Sequence, residues 1–217
     1  PSTVRETVKL GKKLKANDFT ISAPEGVSSV KAKVIGVIEN QAPTKSLEFD
    51  LPVEEGNVQI TEGVAYLSLV ERHRGTGSVT NGFVSGFGYT GSMAIASSVA
   101  HDSHHMIVVG TDRKLMAAAA NRLGEVGGGV TLWKDDAERA LVELPIAGLM
   151  SDSQAAEVAN KAQAIISAMI DCGCSLNNAY MQHTLLALVV IPELRISDLG
   201  LVDVNRFELT EVISPES

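Results

Sequence analysis

The sequence is poor in aromatic residues, in cysteine and in long apolar runs. Aromatics make up 4% of the 217 residues, with a single Trp. Its two cysteines, Cys172 and Cys174, stand one residue apart, too close for an ordinary structural bridge. A disulfide-stapled secreted scaffold is therefore excluded, and a reducing cytoplasm is the expected location. No apolar run approaches the roughly 18 residues of a membrane-spanning helix; the longest, Thr184 to Ile191, stops at Pro192. The first residues, Pro-Ser-Thr-Val-Arg-Glu-Thr-Val-Lys, contain no apolar core of a secretory signal. The P-loop pattern is missing, and so are the three spaced glycines that open a dinucleotide-binding helix. Charge is unevenly spread: residues 1–33 hold seven Lys/Arg against three Asp/Glu, while the whole chain carries −8. Those lysines lack interleaved aromatics and the body is acidic, which repels phosphates. Neither nucleic acid nor membrane is an expected partner.

What is present is a globular composition, 45% hydrophobic and 20% charged. Alternation predicts strands over Val30–Ile38 and Ser46–Val53, and Val64–Val70 reads as another. A glycine-dense stretch, Gly75 to Gly91, indicates tight turns or close backbone approach. Met106–Gly110 has the signature of a buried strand. A helix follows, capped by Thr111 or Asp112 and ended before Gly127-Gly128-Gly129. Val130–Trp133 and Arg139–Leu144 are predicted to be strands joined by a turn at Asp135-Asp136. Strand, helix, strand at this spacing predicts a β-α-β unit with a hairpin attached. A second helix is predicted from a capping box at Ser151 and Gln154 to a stop at Gly173, with Val158, Ala162, Ile165, Ile166 and Met169 as its apolar stripe. Met181–Val190 fits a short helix or a buried strand, and Arg206–Val212 a last strand. The fold class expected is α+β: a mixed, largely antiparallel sheet with a β-α-β unit and two to three packed helices. There is no room for a barrel of eight β-α units.

Three of the five histidines fall at positions 101, 104 and 105, beside Asp102 and Ser103. Imidazole is a common ligand for transition metals, and Asp102 adds an oxygen donor. An extended chain would put His101, Ser103 and His105 on one face; a helix would bring His101 and His105 together. The alternative is a polar loop, since nothing nearby completes three or four ligands. Glu71-Arg72-His73-Arg74 runs from a predicted strand end into Gly75-Thr76-Gly77. It fits equally a cleft-facing group or an ion pair stitching a loop. Cys172 and Cys174, at a helix C-terminus, read as structural thiols, because that end of the dipole raises thiol pKa.

Taken in order, several stretches resemble the C-terminal region of bacterial and archaeal adenine deaminases. They are Val70-Glu-Arg-His-Arg-Gly-Thr-Gly77, Ala96-Ser-Ser-Val-Ala-His-Asp-Ser-His104, Ile107-Val-Val-Gly-Thr111, Ala120-Asn-Arg-Leu123, Gly127-Gly-Gly129, Glu143-Leu-Pro-Ile-Ala-Gly-Leu-Met-Ser-Asp152 and Ile191-Pro-Glu-Leu-Arg195. Position 105 departs from the pattern, with His where Asn is expected. The resemblance implies an amidohydrolase that converts adenine and water to hypoxanthine and ammonia, in purine salvage or adenine catabolism. A divalent metal, manganese or iron, would sit in an N-terminal barrel of about 250 residues. The His-x-His pair of such a barrel does not occur here. The expected layout is a connecting arm at 1–29 and a C-terminal domain at 30–213. The domain has an extended β part at 30–91 and an α/β part at 92–213, followed by a tail at 214–217. The expected partners are the barrel, adenine and further copies in a homo-oligomer, and the chain alone is expected to be inactive. His101, Asp102, Ser103, His104, Glu71, Arg72 and His73 are the residues expected nearest the substrate. Of these, His101 and His104 are the candidates for a metal of this chain's own. The competing expectations are a structural or oligomerisation module without substrate contact, and a small metalloprotein built on the histidine cluster.

Overall fold

The computed structural model describes residues 2–214; Pro1 and the last three residues of the expected tail, 215–217, lie outside it. Nine strands form one sheet: β1 (Ser29–Val37), β2 (Thr44–Glu54), β3 (Asn57–Val58), β4 (Val64–Val70), β5 (Val79–Ser85), β6 (Met93–Ser97), β7 (Met106–Gly110), β8 (Gly129–Lys134) and β9 (Ala137–Glu143). Their spatial order is β3-β2-β1-β5-β4-β7-β6-β8-β9. Among the described residues the sheet is antiparallel except where β1 meets β5, with Ile35 opposite Val84. A second sheet stacks β10 (Leu194–Ser197), β11 (Gly200–Asp203) and β12 (Glu208–Thr210). Three helices complete the fold: α1 (Arg113–Val126), α2 (Ala155–Asp171) and α3 (Ala179–Leu185). The expected mixed, largely antiparallel architecture without a closed barrel is what is found.

The sheet is the middle of three layers. Every residue of β4, β6 and β7 is buried, so these strands carry continuous apolar runs. Tyr66, Met106 and Val108 face α1, meeting Leu115, Met116, Ala119 and Leu123. Leu67, Ile95, Ile107 and Val109 face the other way, toward Ile165 and Met169 of α2 and Ile196 and Leu201 of the small sheet. The predicted β-α-β unit exists in split form. β7 and β8 both pair antiparallel with β6, so they run parallel to each other with β6 between them.

The residues expected to form an arm pack against the α1 side of the sheet. Leu14 and Phe19 are buried there, each worth about 2 kcal/mol of apolar transfer. Asn121 of α1 locks the arm with a reciprocal pair, accepting from the Leu14 N–H at 3.0 Å and donating to its carbonyl at 2.9 Å.

Helix boundaries follow local chemistry. The Asp112 carboxylate accepts from the N–H groups of Lys114 (2.8 Å) and Leu115 (3.4 Å), and Gly127 closes α1 at φ 80°. α2 begins at Ala155, later than predicted. The Ser151 hydroxyl accepts from Ser153 N–H at 3.2 Å in a local turn, and Asp152 pairs with Arg5 at 2.6 Å. Its predicted stripe divides: Ile165 and Met169 are buried, whereas Ala162 and Ile166 are exposed. The first half of Met181–Val190 belongs to a short helix that ends at Leu185 and the second half is turn, with no strand, and the last strand shrinks because residues 204–207 form a turn. Replacing the α1 cap, Asp112→Ala, is expected to cost about 1 kcal/mol. It should appear as a lower urea midpoint with an unchanged slope.

Candidate functional site

The antiparallel register sets Val70 opposite Met106 and Ser97 opposite Ile107. The chain leaving β4, the β6–β7 connection, the start of β8 and the end of β9 therefore meet at one end of the sheet. The two motifs singled out from the sequence, residues 71–77 and 101–105, face each other across that end.

Glu71 and Arg72 are both buried, and both serve the loops around them. The Glu71 carboxylate accepts from the N–H groups of His73 (2.5 Å), Arg74 (2.7 Å) and Thr76 (3.0 Å), and from the Thr76 hydroxyl (3.0 Å). Burial opposes its ionisation, but these donors together outweigh that and hold the carboxyl down at about 2. The loop is indeed stitched, though by main-chain donors rather than by an ion pair with Arg72. The Arg72 Nε donates to the His104 carbonyl at 2.5 Å, and Nη2 to the carbonyls of Ala147 (3.2 Å) and Ser98 (3.4 Å). Gly148 closes over the guanidinium: a Cβ there would lie 2.8 Å from Nη1, and its φ of +72° suits glycine. Ser98 joins two of these segments, accepting from Gly129 N–H at 2.7 Å and donating to the Gly148 carbonyl at 2.6 Å.

The histidine stretch is neither strand nor helix; residues 101–103 form a turn. His101 is anchored through its N–H to the Thr184 carbonyl at 3.1 Å. Asp102 and Ser103 are exposed. His104 Nδ1 accepts from Ala100 N–H at 3.3 Å, which leaves Nε2 as the ring's donor. His73 Nε2 lies 2.8 Å from the Ser103 carbonyl and donates to it, leaving Nδ1 as an acceptor. The His73 and His105 rings meet at 4.7 Å, and those of His101 and His104 at 5.7 Å. Burial pushes His104 down, helped by neighbouring His101. Burial also pushes His105 down, against the pull of Asp198 at 3.6 Å.

All seven candidate residues thus lie at this end, in direct contact or one residue removed. His105 and Asp198 escaped the sequence reading as site members. His105 was set aside as a departure from pattern, and Asp198 arrives from the β10–β11 turn, some ninety positions away, with no local signal. No group of three or more His, Cys, Asp or Glu that could hold a metal ion occurs among the described residues. The two cysteines are buried free thiols pushed up by that burial, in keeping with a structural role.

The fold and this polar rim define a mixed α and β domain that gathers the candidate side chains at one end of a sheet. No helix among the described residues is long and apolar enough to cross a membrane. Residues 41–208 match the family described as the adenine deaminase C-terminal domain, and the chain belongs to that family. It is 71% identical over 213 residues to the adenine deaminase of Roseobacter denitrificans, covering 98% of this chain and 36% of that protein. The adenine deaminase of Ruegeria pomeroyi is 68% identical over 218 residues, with 99% and 36% covered. That of Moorella thermoacetica is 43% identical over 218 residues, again with 99% and 36% covered. The chain spans about a third of the length of these curated relatives.

Two groups should mark the acid limb of stability in staggered, overlapping windows. His183 is fully buried, and burial pushes it down to about 3 against a weaker main-chain contact at Ile107. The unfolded chain takes up a proton near pH 6.5 that the folded chain refuses, so stability falls as pH drops below about 6.5. Glu71 acts lower: its stabilisation is full above about 4.5 and lost as pH falls toward 2, on the order of 3 kcal/mol in all. Urea titrations from pH 7 to 2.5 should show stability falling below about 6.5 and falling more steeply below about 4.5, and Glu71→Gln should remove only the added steepness.

Proposed function

We propose that this domain serves an adenine deaminase, an enzyme that hydrolyses adenine to hypoxanthine and ammonia, by bordering the active site of a barrel that precedes it. Its relatives named adenine deaminase are nearly three times as long, which leaves ample length for such a barrel. The single observation that carries the reading is where the chain enters. Val4 accepts from Ala147 N–H at 2.6 Å, and Lys9 N–H donates to the Arg72 carbonyl at 2.9 Å. Residues 4–9 thus run along the same end that carries His73, His101, Asp102, Ser103 and His104. A barrel joined through residues 1–29 arrives beside them.

In this reading the resident metal, manganese or iron, belongs to the barrel and supplies an activated water when bound. No metal is assigned to His101 or His104, since no third ligand stands with them. The domain's part is to orient and exclude. His104 Nε2 and His73 Nδ1 offer a donor and an acceptor of the kind that purine ring nitrogens match, and Asp102 and Ser103 add exposed polar groups. Glu71 and Arg72 act as positioning residues, because most of their hydrogen bonds go to main chain. The protein would work in the cytoplasm, as a homo-oligomer, in purine salvage or adenine catabolism.

A second reading, a structural or oligomerisation module without substrate contact, draws on that same engagement of Glu71 and Arg72. In the intact enzyme, separation of every residue here from the metal by more than about 8 Å would favour it, since direct and single-water contacts would be out of reach. Replacing His101 and His104 together with Ala in the full-length enzyme is expected to lower turnover more than tenfold with folding intact. Unchanged kinetics would favour the second reading. The isolated chain is expected to show no adenine deamination, and turnover by it would place the chemistry here after all.

A further inference from the structure

We propose that an apolar cleft beside the histidine turn is the docking surface for the N-terminal portion of the full-length enzyme. The cleft, about 340 Å³, is lined by Val99, Leu144, Leu149, Ala162, Ile166 and Tyr180. α2 extends it as a second, outward stripe. Ala155, Ala159, Ala162, Ile166 and Ile170 recur at helical spacing, and all five are exposed. Met150 at the rim is 57% exposed and Ile170 61%. A helix apolar on both sides is built to be covered on both, and its inner side already packs on the sheet through Ile165 and Met169.

The occupant follows from where the chain enters and how much of it lies outside. The relatives extend well beyond the 36% that this chain matches, and a domain named C-terminal has that length before it. The entering segment is fastened at the rim of the cleft. Val4 bonds Ala147 and Arg5 pairs with Asp152 at 2.6 Å, which brackets Leu149 and Met150. Val99 carries the same surface to within two residues of His101. A body tethered at that rim meets the cleft at a high effective concentration, on the order of millimolar. A second copy arriving from solution has no such advantage.

The proposal rests on the reading that a larger N-terminal portion precedes this domain, but not on that portion's activity. The test places a benzophenone amino acid at Ile166, and separately at Met150, in the full-length enzyme. Irradiation is followed by mass spectrometry on a mixture of isotopically light and heavy chains. Crosslinks within one polypeptide, from position 166 or 150 to residues preceding this domain, are expected. Crosslinks joining light to heavy chains would overturn the proposal in favour of a subunit interface. Crosslinks confined to this domain, or none, would overturn it in favour of an open face. Turnover is not part of the readout, so a failed crosslink leaves the proposed activity standing, and an inactive enzyme that crosslinks as expected leaves the docking surface standing.

Discussion

A single guanidinium holds this end of the molecule together. Arg72 is almost fully buried with no carboxylate beside it, and its bonds run to the carbonyls of Ser98, His104 and Ala147. Taking a cation out of water costs several kcal/mol unless its donors are matched. Here Nε and Nη2 are matched by two separate loops, the β6–β7 connection through Ser98 and His104 and the loop after β9 through Ala147, while Nη1 finds no partner; the two loops must assemble with the arginine for the charge to be tolerated. Burial lowers the Arg72 pKa, yet arginine stays charged in any case. The histidine turn, the glycine loop and the loop after β9 thus have positions set by a central cation rather than by their own sequences. Glu71 completes the arrangement from the other side, gathering main-chain N–H groups as Arg72 gathers carbonyls.

The same device recurs behind α3. Arg195 is buried, with burial pulling it down to about 10. It donates to the carbonyls of Ile191 (2.8 Å), Leu185 (2.8 Å) and Ala42 (2.5 Å). It ties the end of α3 and the approach to β10 onto the β1–β2 connection. Two buried cations bonded to main chain account for the irregular segments that packing alone leaves loose.

The regular elements were legible because their signals are local. Alternation marked β1 and β2, and a buried apolar run marked β7. Asp112 and Gly127 marked both ends of α1. Where the sequence misled, two local rules competed. Ser151 and Gln154 have capping-box spacing, but the Ser151 hydroxyl forms a turn with Ser153 and the helix starts later. The α2 stripe was read as one face because Ala162 and Ile166 keep helical spacing with Ile165 and Met169; only the sheet's curvature and width decide which of them it covers. At the candidate site, residues 71–73 and 101–104 were expected together on the strength of the resemblance, while their spacing alone showed two separate motifs. Their meeting depends on β4 pairing with β7, a choice made over the whole sheet. Asp198 was invisible for the same reason.

The sheet's order has a further meaning for how the domain meets others. A row of unpaired main-chain groups at a sheet margin invites strand addition. One margin here is β3, two residues long, with Asn57 also bridged by Ser22 of the entering segment. The other is β9, which carries Glu138, Arg139 and Glu143 and leans on α2 through Lys161, 2.9 Å from Glu143. Neither offers a long flat template. The large sheet thus gives little purchase for lateral growth, which leaves the loops at one end and the outer side of α2 as surfaces where a neighbour can pack. A neighbour that docks there can shift or release without disturbing a single rung of the ladder beneath.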